Sequence, residues 1–416
     1  MMSGKPKIYL LLCQTCDVAN PVNAPRGMRD FLPQEKLKRE RLISTVVDSY
    51  IARGFQQIET PVLEDLGRLT SGQGGDNEKL VFKVQKRGEE FTQALEQGQE
   101  LADLGLRFDL TVPLTRFYAS NHSKLPRVFK AIQTGPVFRA ERPQKGRYRQ
   151  FIQCDIDIIG DDSILAELEL ISASLSALEA IGVKGATIRV NHRELLRANI
   201  ESLGIAAADS LSAMIIIDKL DKIGIDGVAK ELGEKFGDQV GKTAQAWLSS
   251  IDAKDIPDLL LPIWEQLGSQ VESLRFDPTL VRGMGYYTGT IFEIEHPDSG
   301  SSIGGGGRYD GMVGKWLGTD VPAVGISLGI ERIVDLIPDS PSDSELVVLI
   351  LEPNSEAQAL KLQQQLISAG SQVRLELRPK NLKALLEQLA ENGYGKFAIV
   401  SESTSDLAQL DFKQIG

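Results

Sequence analysis

The chain has 416 residues, of which 42% are hydrophobic and 25% are charged, and its formal net charge is -11. These ordinary globular values exclude a mainly disordered chain, and the length predicts two or three domains. The acidic balance excludes coating of nucleic acid or membranes by bulk charge, although a local basic patch is still compatible with nucleic-acid binding. Three cysteines cannot build a disulfide framework, so we expect a reducing, cytoplasmic location.

Residues 1–23 are predicted to be an N-terminal extension. Their apolar run, residues 8–13, is shorter than the core of a signal peptide. No apolar run in the sequence reaches the roughly 18 residues that a membrane span needs, so we expect no membrane association. Cys13 and Cys16 form a CxxC without a second pair, and an incidental pair is favoured over a zinc or redox site.

The pattern of apolar residues predicts the elements at the start of the folded region. Apolar pairs that recur every four residues predict a helix over 33–51, and Gly54 follows where a C-terminal cap belongs. An extended segment at 55–62 contains Pro61, which indicates a sheet edge or a strand end. Next in the chain, we predict a solvated loop over 85–103, a strand over 104–109 and a helix over 112–121.

Residues 135–160 are predicted to form an antiparallel hairpin with a long polar connection. The residues of its second strand divide between two faces, because successive side chains of a strand point to opposite sides. The apolar face, expected in the core, holds Ile152, Cys154, Ile156 and Ile158. The polar face, expected to point into the space that the sheet faces, holds Phe151, Gln153, Asp155 and Asp157.

A mainly helical insertion over about 191–276, in which we find no chemistry, precedes two glycine-rich extended segments, 281–295 and 301–309. The second segment, SSIGGGGRY, fits neither the GxxxxGK[ST] nor the GxGxxG phosphate-binding pattern. Four successive glycines are expected where another backbone or a ligand approaches closely, and a flexible hairpin is the alternative. A helix beginning near Gly325 is predicted to carry Arg332.

The C-terminal part of the chain follows a segment, residues 339–345, that has the composition of a linker. Residues 345–416 then alternate between strand and helix patterns in the order β, α, β, α, β. This alternation predicts a small α/β domain with a mainly parallel sheet.

The connection of the hairpin reverses the acidic character of the chain. Five cations face a single acid there, namely Arg139, Arg142, Lys145, Arg147 and Arg149 against Glu141. Arginine matches phosphate oxygens, which favours a polyphosphate or nucleic-acid site, while a solvated hairpin tip is the alternative. Arg139 favours the site, because it lies in the strand beside the polar face.

No nucleophile and base are paired by spacing, since the three histidines have no recognisable partner. Arg282 lies close to Tyr286 and Tyr287, and such tyrosines line small-molecule pockets about as often as they fill cores. The expected chemistry is therefore electrostatic, from arginines, carboxylates and a magnesium–nucleotide.

Five strings, taken together and in this order, resemble the catalytic core of the histidyl-tRNA synthetase family, a branch of the class II aminoacyl-tRNA synthetases. They are LRFDLTVP, FRAERPQKGRYRQF, RGMGYYTGTIFE, GGGGRYDG and GISLGIERI. The resemblance is strong over 24–338 and looser over 345–416. It implies an α+β fold with an antiparallel sheet flanked by helices, the helical insertion, a small C-terminal α/β domain and a homodimer.

The resemblance also implies an activity and its partners. These are ATP-dependent activation of histidine to histidyl-adenylate and transfer to tRNA(His), with L-histidine, ATP and Mg²⁺ as the small molecules. The alternative is a catalytically inactive, histidine-sensing regulatory subunit of ATP phosphoribosyltransferase. Such relatives usually lose the arginines that hold phosphate, whereas Arg139, Arg282 and Arg332 are all present here.

Roles for individual residues follow from the resemblance alone. For ATP, they are Arg139 on the α-phosphate, Glu141 near the adenine amino group, Phe151 under the adenine and Arg332 on the phosphate tail and base. For histidine, they are Asp109, Thr111 and Gln153 around the α-amine, Asp157, Tyr287 and Tyr309 around the imidazole, and Arg282 on the carboxylate and the α-phosphate. Arg139 and Arg282 are the implied catalytic residues. Lys145 and Arg147 are expected to contact tRNA, and no residue is assigned to a metal.

Three departures from the family pattern bear on these roles. Gly285 replaces a common Asp, so the hydrogen bonds around the neighbouring tyrosines are expected to differ. Asp109 and Asp157 stand where some members have Glu, which shortens their reach by one methylene. The C-terminal domain is expected to be a shortened form of the anticodon-binding domain.

Overall fold

The computed structural model describes residues 22–70, 79–143, 146–282, 286–338 and 346–415. This part of the chain contains sheets of eight, four and three strands with helices packed around them. None of its helices is long and apolar enough to cross a membrane. The predicted α+β class is confirmed, while most of the predicted extension, with both cysteines of the CxxC, lies outside the described residues.

An eight-stranded mixed sheet positions the candidate site. Its strands, in spatial order, are β1 (Gln56–Ile58), β5 (Phe129–Phe138), β6 (Gln150–Ile159), β11 (Ala323–Gly329), β10 (Gly304–Arg308), β9 (Thr290–Glu295), β7 (Thr187–His192) and β8 (Leu274–Phe276). The inner strands are antiparallel, and the two edge strands run parallel to their neighbours. The predicted hairpin is β5–β6, and the short edge strand β1 precedes Pro61 as expected.

Helices cover one face of this sheet. They are α1 (Pro33–Ile51), α5 (Ile164–Ala180) and α12 (Ile330–Val334). The helix α1 has the predicted bounds, because proline suits a first helical turn and the Glu35 carboxylate accepts the Leu32 N–H at 3.0 Å. The apolar face of β6 packs against these helices, with Cys154, Ile156 and Ile158 fully buried. The opposite face of the sheet is thereby left for polar side chains.

The region before the hairpin departs from the prediction. A three-stranded sheet combines β2 (Leu63–Asp65), β4 (Ala102–Leu106) and β3 (Phe82–Gln85), and two helices flank it, α2 (Leu66–Thr70) and α4 (Thr111–Asn121). The predicted loop over 85–103 is wrong, because it contains α3 (Gly88–Gln97), which buries Ala94 and ends at Gly98 with φ 65°. Glu and Gln are good helix formers as well as solvated loop residues, so composition alone does not decide between the two conformations.

The glycine string forms β10 in the interior of the large sheet, so the alternative of a flexible hairpin is wrong. A Cβ at Gly306 would lie 1.9 Å from the carbonyl oxygen of Gly325 on β11. The glycines are therefore required by close approach of backbone. Helix α11 (Asp310–Leu317) joins β10 to β11, and residues 323–329 form that strand. The helix predicted to begin near Gly325 thus begins only at Ile330.

A helical segment separates β7 from β8. Its helices are α6 (Arg193–Ser202), α7 (Ser210–Ile217), α8 (Leu220–Phe236), α9 (Asp238–Ser250) and α10 (Leu261–Gln266). The apolar side chains of α6 to α9 form a core of their own. Because the segment leaves from β7 and returns at β8, its start and end are both held at one edge of the large sheet.

The C-terminal part alternates as the sequence predicts. Its elements are β12 (Leu346–Leu351), α13 (Glu356–Ser368), β13 (Gln372–Leu377), α14 (Leu382–Glu391), β14 (Lys396–Val400) and β15 (Lys413–Gln414). Strands β13, β12 and β14 are parallel neighbours, and β15 adds an antiparallel edge. The Gln34 side chain at the start of α1 donates to the Asn392 carbonyl at 2.6 Å, which links this unit to the rest of the molecule.

Replacing Gly306 by alanine should destabilise the sheet, because the added methyl group would overlap the Gly325 carbonyl oxygen. Overpacking of a tight site costs about 1–3 kcal/mol of unfolding free energy. Chemical unfolding of the variant and the wild type measures this difference. Gly311→Ala is the matched control, since a Cβ there meets nothing within 4 Å. Equal effects of the two substitutions would contradict the role of close approach.

Candidate active site

A row of mostly polar residues crosses the exposed face of the large sheet. Strand pairing places one residue of each of six neighbouring strands side by side, in the order Gln133, Asp155, Ser327, Gly305, Glu293 and Arg189. Directly paired residues have Cβ atoms about 4.5–5.5 Å apart, so these side chains are within reach of one another. The four central residues of the row, Asp155, Ser327, Gly305 and Glu293, line the floor of a cleft.

The cleft above this row has a volume of about 450 Å³. Ten of the residues predicted to act on ATP, histidine or tRNA line it, namely Asp109, Thr111, Arg139, Glu141, Arg147, Phe151, Gln153, Arg282, Tyr287 and Arg332. Lys145 lies outside the described residues. Asp157 and Tyr309 do not line the cleft, because both are buried beneath it.

One end of the cleft is rich in positive charge. The Arg139 guanidinium lies 5.1 Å from the centre of the Phe151 ring, and its Nε donates to the Phe108 carbonyl at 3.1 Å. Arg332 donates to the carbonyls of Gly146 and Ser302. Burial, together with the nearby arginines of the cleft, lowers the pKa of Arg332. A cluster of cations that disfavour one another's charge is suited to binding an anion.

Arg282 lies over the glycine strand. Its Nη1 forms an ion pair with Glu293 Oε2 at 2.8 Å, and its guanidinium fills the space where a Cβ of Gly305 would lie. A side chain at Gly305 would therefore displace the arginine from the floor of the cleft.

Asp157 and Tyr309 form a buried pair at the other end of the site. The Tyr309 hydroxyl donates to Asp157 Oδ1 at 2.6 Å. Burial raises the pKa of the Asp157 carboxyl to about 7, although the tyrosine hydrogen bond opposes that shift. A nearby cation of the hairpin, Arg149, donates from Nε to the Glu141 carbonyl at 2.9 Å.

Asp109 connects a helix start to the tyrosines. Its Oδ1 accepts the N–H of Val112 at 3.1 Å in the first turn of α4, and Tyr286 donates to its Oδ2 at 3.3 Å. Burial raises the pKa of this carboxyl to about 6, against the effect of these hydrogen bonds and of Arg139. The first residue of α4, Thr111, follows close by on the wall of the cleft.

Several lining residues were not assigned from the sequence: Asp155, Asp218, Tyr286, Glu293, Ser327 and Glu331. Asp155 was already on the predicted polar face, and Glu293 alternates with buried residues of β9, so strand periodicity carried a signal for both. Asp218 corrects the expectation that the helical insertion carries no chemistry. Periodicity identifies the buried side of a helix, but it does not show which loop end reaches a distant cleft.

Comparison with known proteins gives the family. The sequence model described as Histidyl-tRNA synthetase matches residues 27–333. The histidine–tRNA ligase of Leifsonia xyli subsp. xyli is 51% identical over 96% of this chain and 99% of its own length. A crystal structure of histidyl-tRNA synthetase from a Nostoc species has a TM-score of 0.70 and 27% identity, and covers 95% of this chain and 97% of that one.

The fold is thus that of the class II aminoacyl-tRNA synthetases, with the candidate cleft on the antiparallel part of the sheet. The chain belongs to the histidyl-tRNA synthetase family, as the five sequence strings predicted. A solved structure from Bacillus halodurans, described as an ATP phosphoribosyltransferase regulatory subunit/histidyl-tRNA synthetase, has a TM-score of 0.71 at 20% identity. It covers 92% of this chain and 99% of that one, and it shows the fold alone.

The raised pKa of Asp157 predicts a pH-dependent stability. The folded protein keeps this proton up to a pH of about 7, whereas an unfolded Asp loses it near pH ~4. Protonated Asp157 therefore favours the folded state at the low end of this window, and the contribution is lost as pH rises to about 7. As pH rises through this window, the free energy of unfolding of the wild type should fall by about 1 kcal/mol or more relative to that of Asp157→Asn.

Urea unfolding of the two proteins at several pH values measures this difference. The matched control is Asp258→Asn, because the Asp258 side chain is exposed. Its free energy of unfolding should follow the wild type at every pH. Parallel curves for the wild type and Asp157→Asn would show that the buried carboxyl does not retain its proton.

Proposed function

We propose that this chain activates histidine with ATP to form histidyl-adenylate and then transfers histidine to tRNA(His). The observation that carries the proposal is the presence of Arg139, Arg282 and Arg332 on one cleft of a chain in this family. An inactive regulator has no need to keep three cations at a phosphate site. The histidine-sensing alternative is for that reason disfavoured.

The first reaction needs no covalent enzyme intermediate. A histidine carboxylate oxygen attacks the α-phosphorus of ATP, the bond to the β-phosphate oxygen breaks, and pyrophosphate leaves. Negative charge that spreads over the α-phosphate oxygens would be stabilised by Arg139 and Arg282. Because both arginines are already fixed, by Phe108 and Glu293 respectively, little reorganisation is required when that charge develops.

The nucleotide would lie between the hairpin and β11. Phe151 would provide a flat apolar surface for the adenine, and the Glu141 carboxylate would accept a hydrogen bond from the adenine amino group. Arg332 would hold the phosphate tail, since its guanidinium is anchored by two backbone carbonyls. The Arg139 guanidinium lies 5.1 Å from the centre of the Phe151 ring, so the proposed α-phosphate site and the proposed adenine site are neighbours.

Histidine would be recognised by buried polar groups. Asp109, Thr111 and Gln153 would surround the α-ammonium, and Gln153 Oε1 is a buried acceptor without a partner among the described residues. Tyr287 on the cleft wall, together with the buried pair Asp157 and Tyr309, would serve the imidazole. A site that leaves such groups unpaired with the wrong ligand can discriminate by about 10⁴–10⁵.

Magnesium would enter on the ATP phosphates. The described residues contain no group of three side chains suited to holding a metal. Magnesium bound to a nucleotide usually needs only one or two protein carboxylates, so the ion would be held mainly by the ATP phosphates. Glu331 on the cleft wall is already engaged, because its oxygens accept the Ile152 N–H and pair with Arg39. When bound, the ion would neutralise phosphate charge that the arginines do not reach.

Transfer would follow at the same cleft. The terminal ribose hydroxyl of tRNA(His) attacks the adenylate carbonyl carbon, and AMP leaves. We further propose that residues 1–23 form an N-terminal extension and that residues 24–338 form the catalytic core. Residues 345–416 would form the anticodon-binding domain. We also propose that the chain forms a homodimer and is located in the cytoplasm.

Histidine-dependent exchange of pyrophosphate into ATP tests the first reaction. The wild type should show exchange, whereas a histidine sensor would bind histidine without it. Arg282→Ala should remain folded and lower the exchange rate by about 10²–10³, because it removes one preorganised donor to the transition state. Arg275→Ala is the matched control, since Arg275 lies on the edge strand and pairs with Glu295. Exchange at the wild-type rate in Arg282→Ala would assign Arg282 a structural role.

Contacts to tRNA are tested by the salt dependence of binding. Arg147→Ala should weaken tRNA(His) binding and reduce the slope of log affinity against log salt by about one, as expected for one lost phosphate contact. Arg53→Ala is a control at the end of α1, where the arginine bonds to Ser176. An unchanged slope in Arg147→Ala would move the tRNA contacts to another surface, such as the Arg374 to Lys383 region.

A further inference from the structure

Arg189 is a buried cation at the end of the polar row, and nothing in the reaction described above uses it. Its side chain is 10% exposed and forms ion pairs with carboxylates from three directions. The partners are Asp277 after β8, Glu293 and Glu295 on β9 at 3.0 and 4.0 Å, and Asp221 on α8 of the helical segment at 3.2 Å. Burial alone disfavours its charge, yet these carboxylates raise the pKa of Arg189 overall.

Glu293 connects this cation to the cleft. Its Oε1 accepts from Arg189 Nη1 at 3.0 Å, and its Oε2 accepts from Arg282 Nη1 at 2.8 Å. Each carboxylate oxygen thus serves a different arginine. An arginine facing a carboxylate with both oxygens available tends to bind it through two parallel hydrogen bonds. Arg189 therefore holds one of the two oxygens that a bidentate pair with Arg282 would need.

From this geometry we infer that Arg189 is a positioning residue for adenylation, which keeps the Arg282 guanidinium directed into the cleft. The inference rests on the proposed function, because it assigns Arg282 to the α-phosphate. Without Arg189, Glu293 would rotate to bind Arg282 with both oxygens, and its full negative charge would face the incoming phosphates. The ion pair with Asp221 also attaches Arg189 to the helical segment.

The fixed register of the sheet supports the inference. Arg189 pairs with Glu293, and Glu293 pairs with Gly305, over which Arg282 lies. The backbone therefore sets the spacing from Arg189 to Glu293 and to the glycine over which Arg282 lies, and the Glu293 carboxylate makes the last link to Arg282. A displacement of about 1 Å at a reacting group can cost about 10²-fold in rate, so a small rotation of Glu293 is sufficient for a measurable effect.

Arg189→Gln tests the inference in the histidine-dependent exchange reaction. The rate at saturating substrates should fall by about 10- to 100-fold, while the KM for ATP stays within about threefold, because Arg139 and Arg332 still hold the nucleotide. Arg275→Gln is the matched control. It removes the same charge from the neighbouring residue in the register, where Arg275 pairs with Glu295 and is 46% exposed, and it should retain the wild-type rate.

A double-mutant cycle separates positioning from general damage. In the Glu293→Gln background, Arg189→Gln should cost less than about threefold, because the carboxylate that Arg189 restrains is gone. Should Arg189→Gln fail to fold, Arg189→Lys takes its place, since it keeps a charge beside Asp277 but lacks the fork that reaches Glu293 as well.

Three outcomes would overturn the inference: equal rates for the Arg189 and Arg275 variants, an equal loss in both backgrounds of the cycle, or a loss that falls wholly on the KM for ATP. Absence of exchange in the wild type would instead refute the proposed function. The two failures are therefore distinguishable in one set of measurements.

Discussion

The close approach of β10 to its two neighbours is the constraint on which the candidate site depends. Backbone atoms of β11 occupy the space of a side chain at Gly306, and the guanidinium of Arg282 occupies that of one at Gly305. Four successive residues without side chains lower the floor of the cleft, so that arginines from a loop and from the hairpin can lie over the sheet. The cost is a weaker strand, which is offset by its place between two well-paired neighbours.

Charge in the site is arranged in two layers. Arginines line the cleft, and carboxyl groups lie beneath or beside them, with Asp109 and Asp157 buried enough that their pKa values rise to about 6 and about 7. Burying these groups disfavours folding, because ionised carboxylates lose their hydration. This unfavourable contribution to folding is consistent with groups that recognise a polar substrate. The fold separates these carboxyl groups from the core under the helices, because Cys154, Ile156 and Ile158 of β6 point to the other face.

Local pattern was sufficient for much of this protein. Alternation in β6 identified its core face and its polar face, and the four-residue recurrence gave α1 its bounds, because both depend only on neighbours in the chain. The same reasoning failed for residues 85–103 and for the start of the helix at Ile330. In those segments the residue types suit two conformations, and burial against other elements selected one.

The sequence by itself determined the α+β class, the family and most of the side chains that line the cleft, because these follow from periodicity and from motifs of fixed spacing. Only the tertiary structure decided the rest. It paired Asp157 with Tyr309, brought Asp218 from the helical segment to the cleft, and divided Glu293 between two arginines. Each of these contacts joins residues from separate elements whose register is set by backbone pairing across the whole sheet, and no local pattern encodes that register.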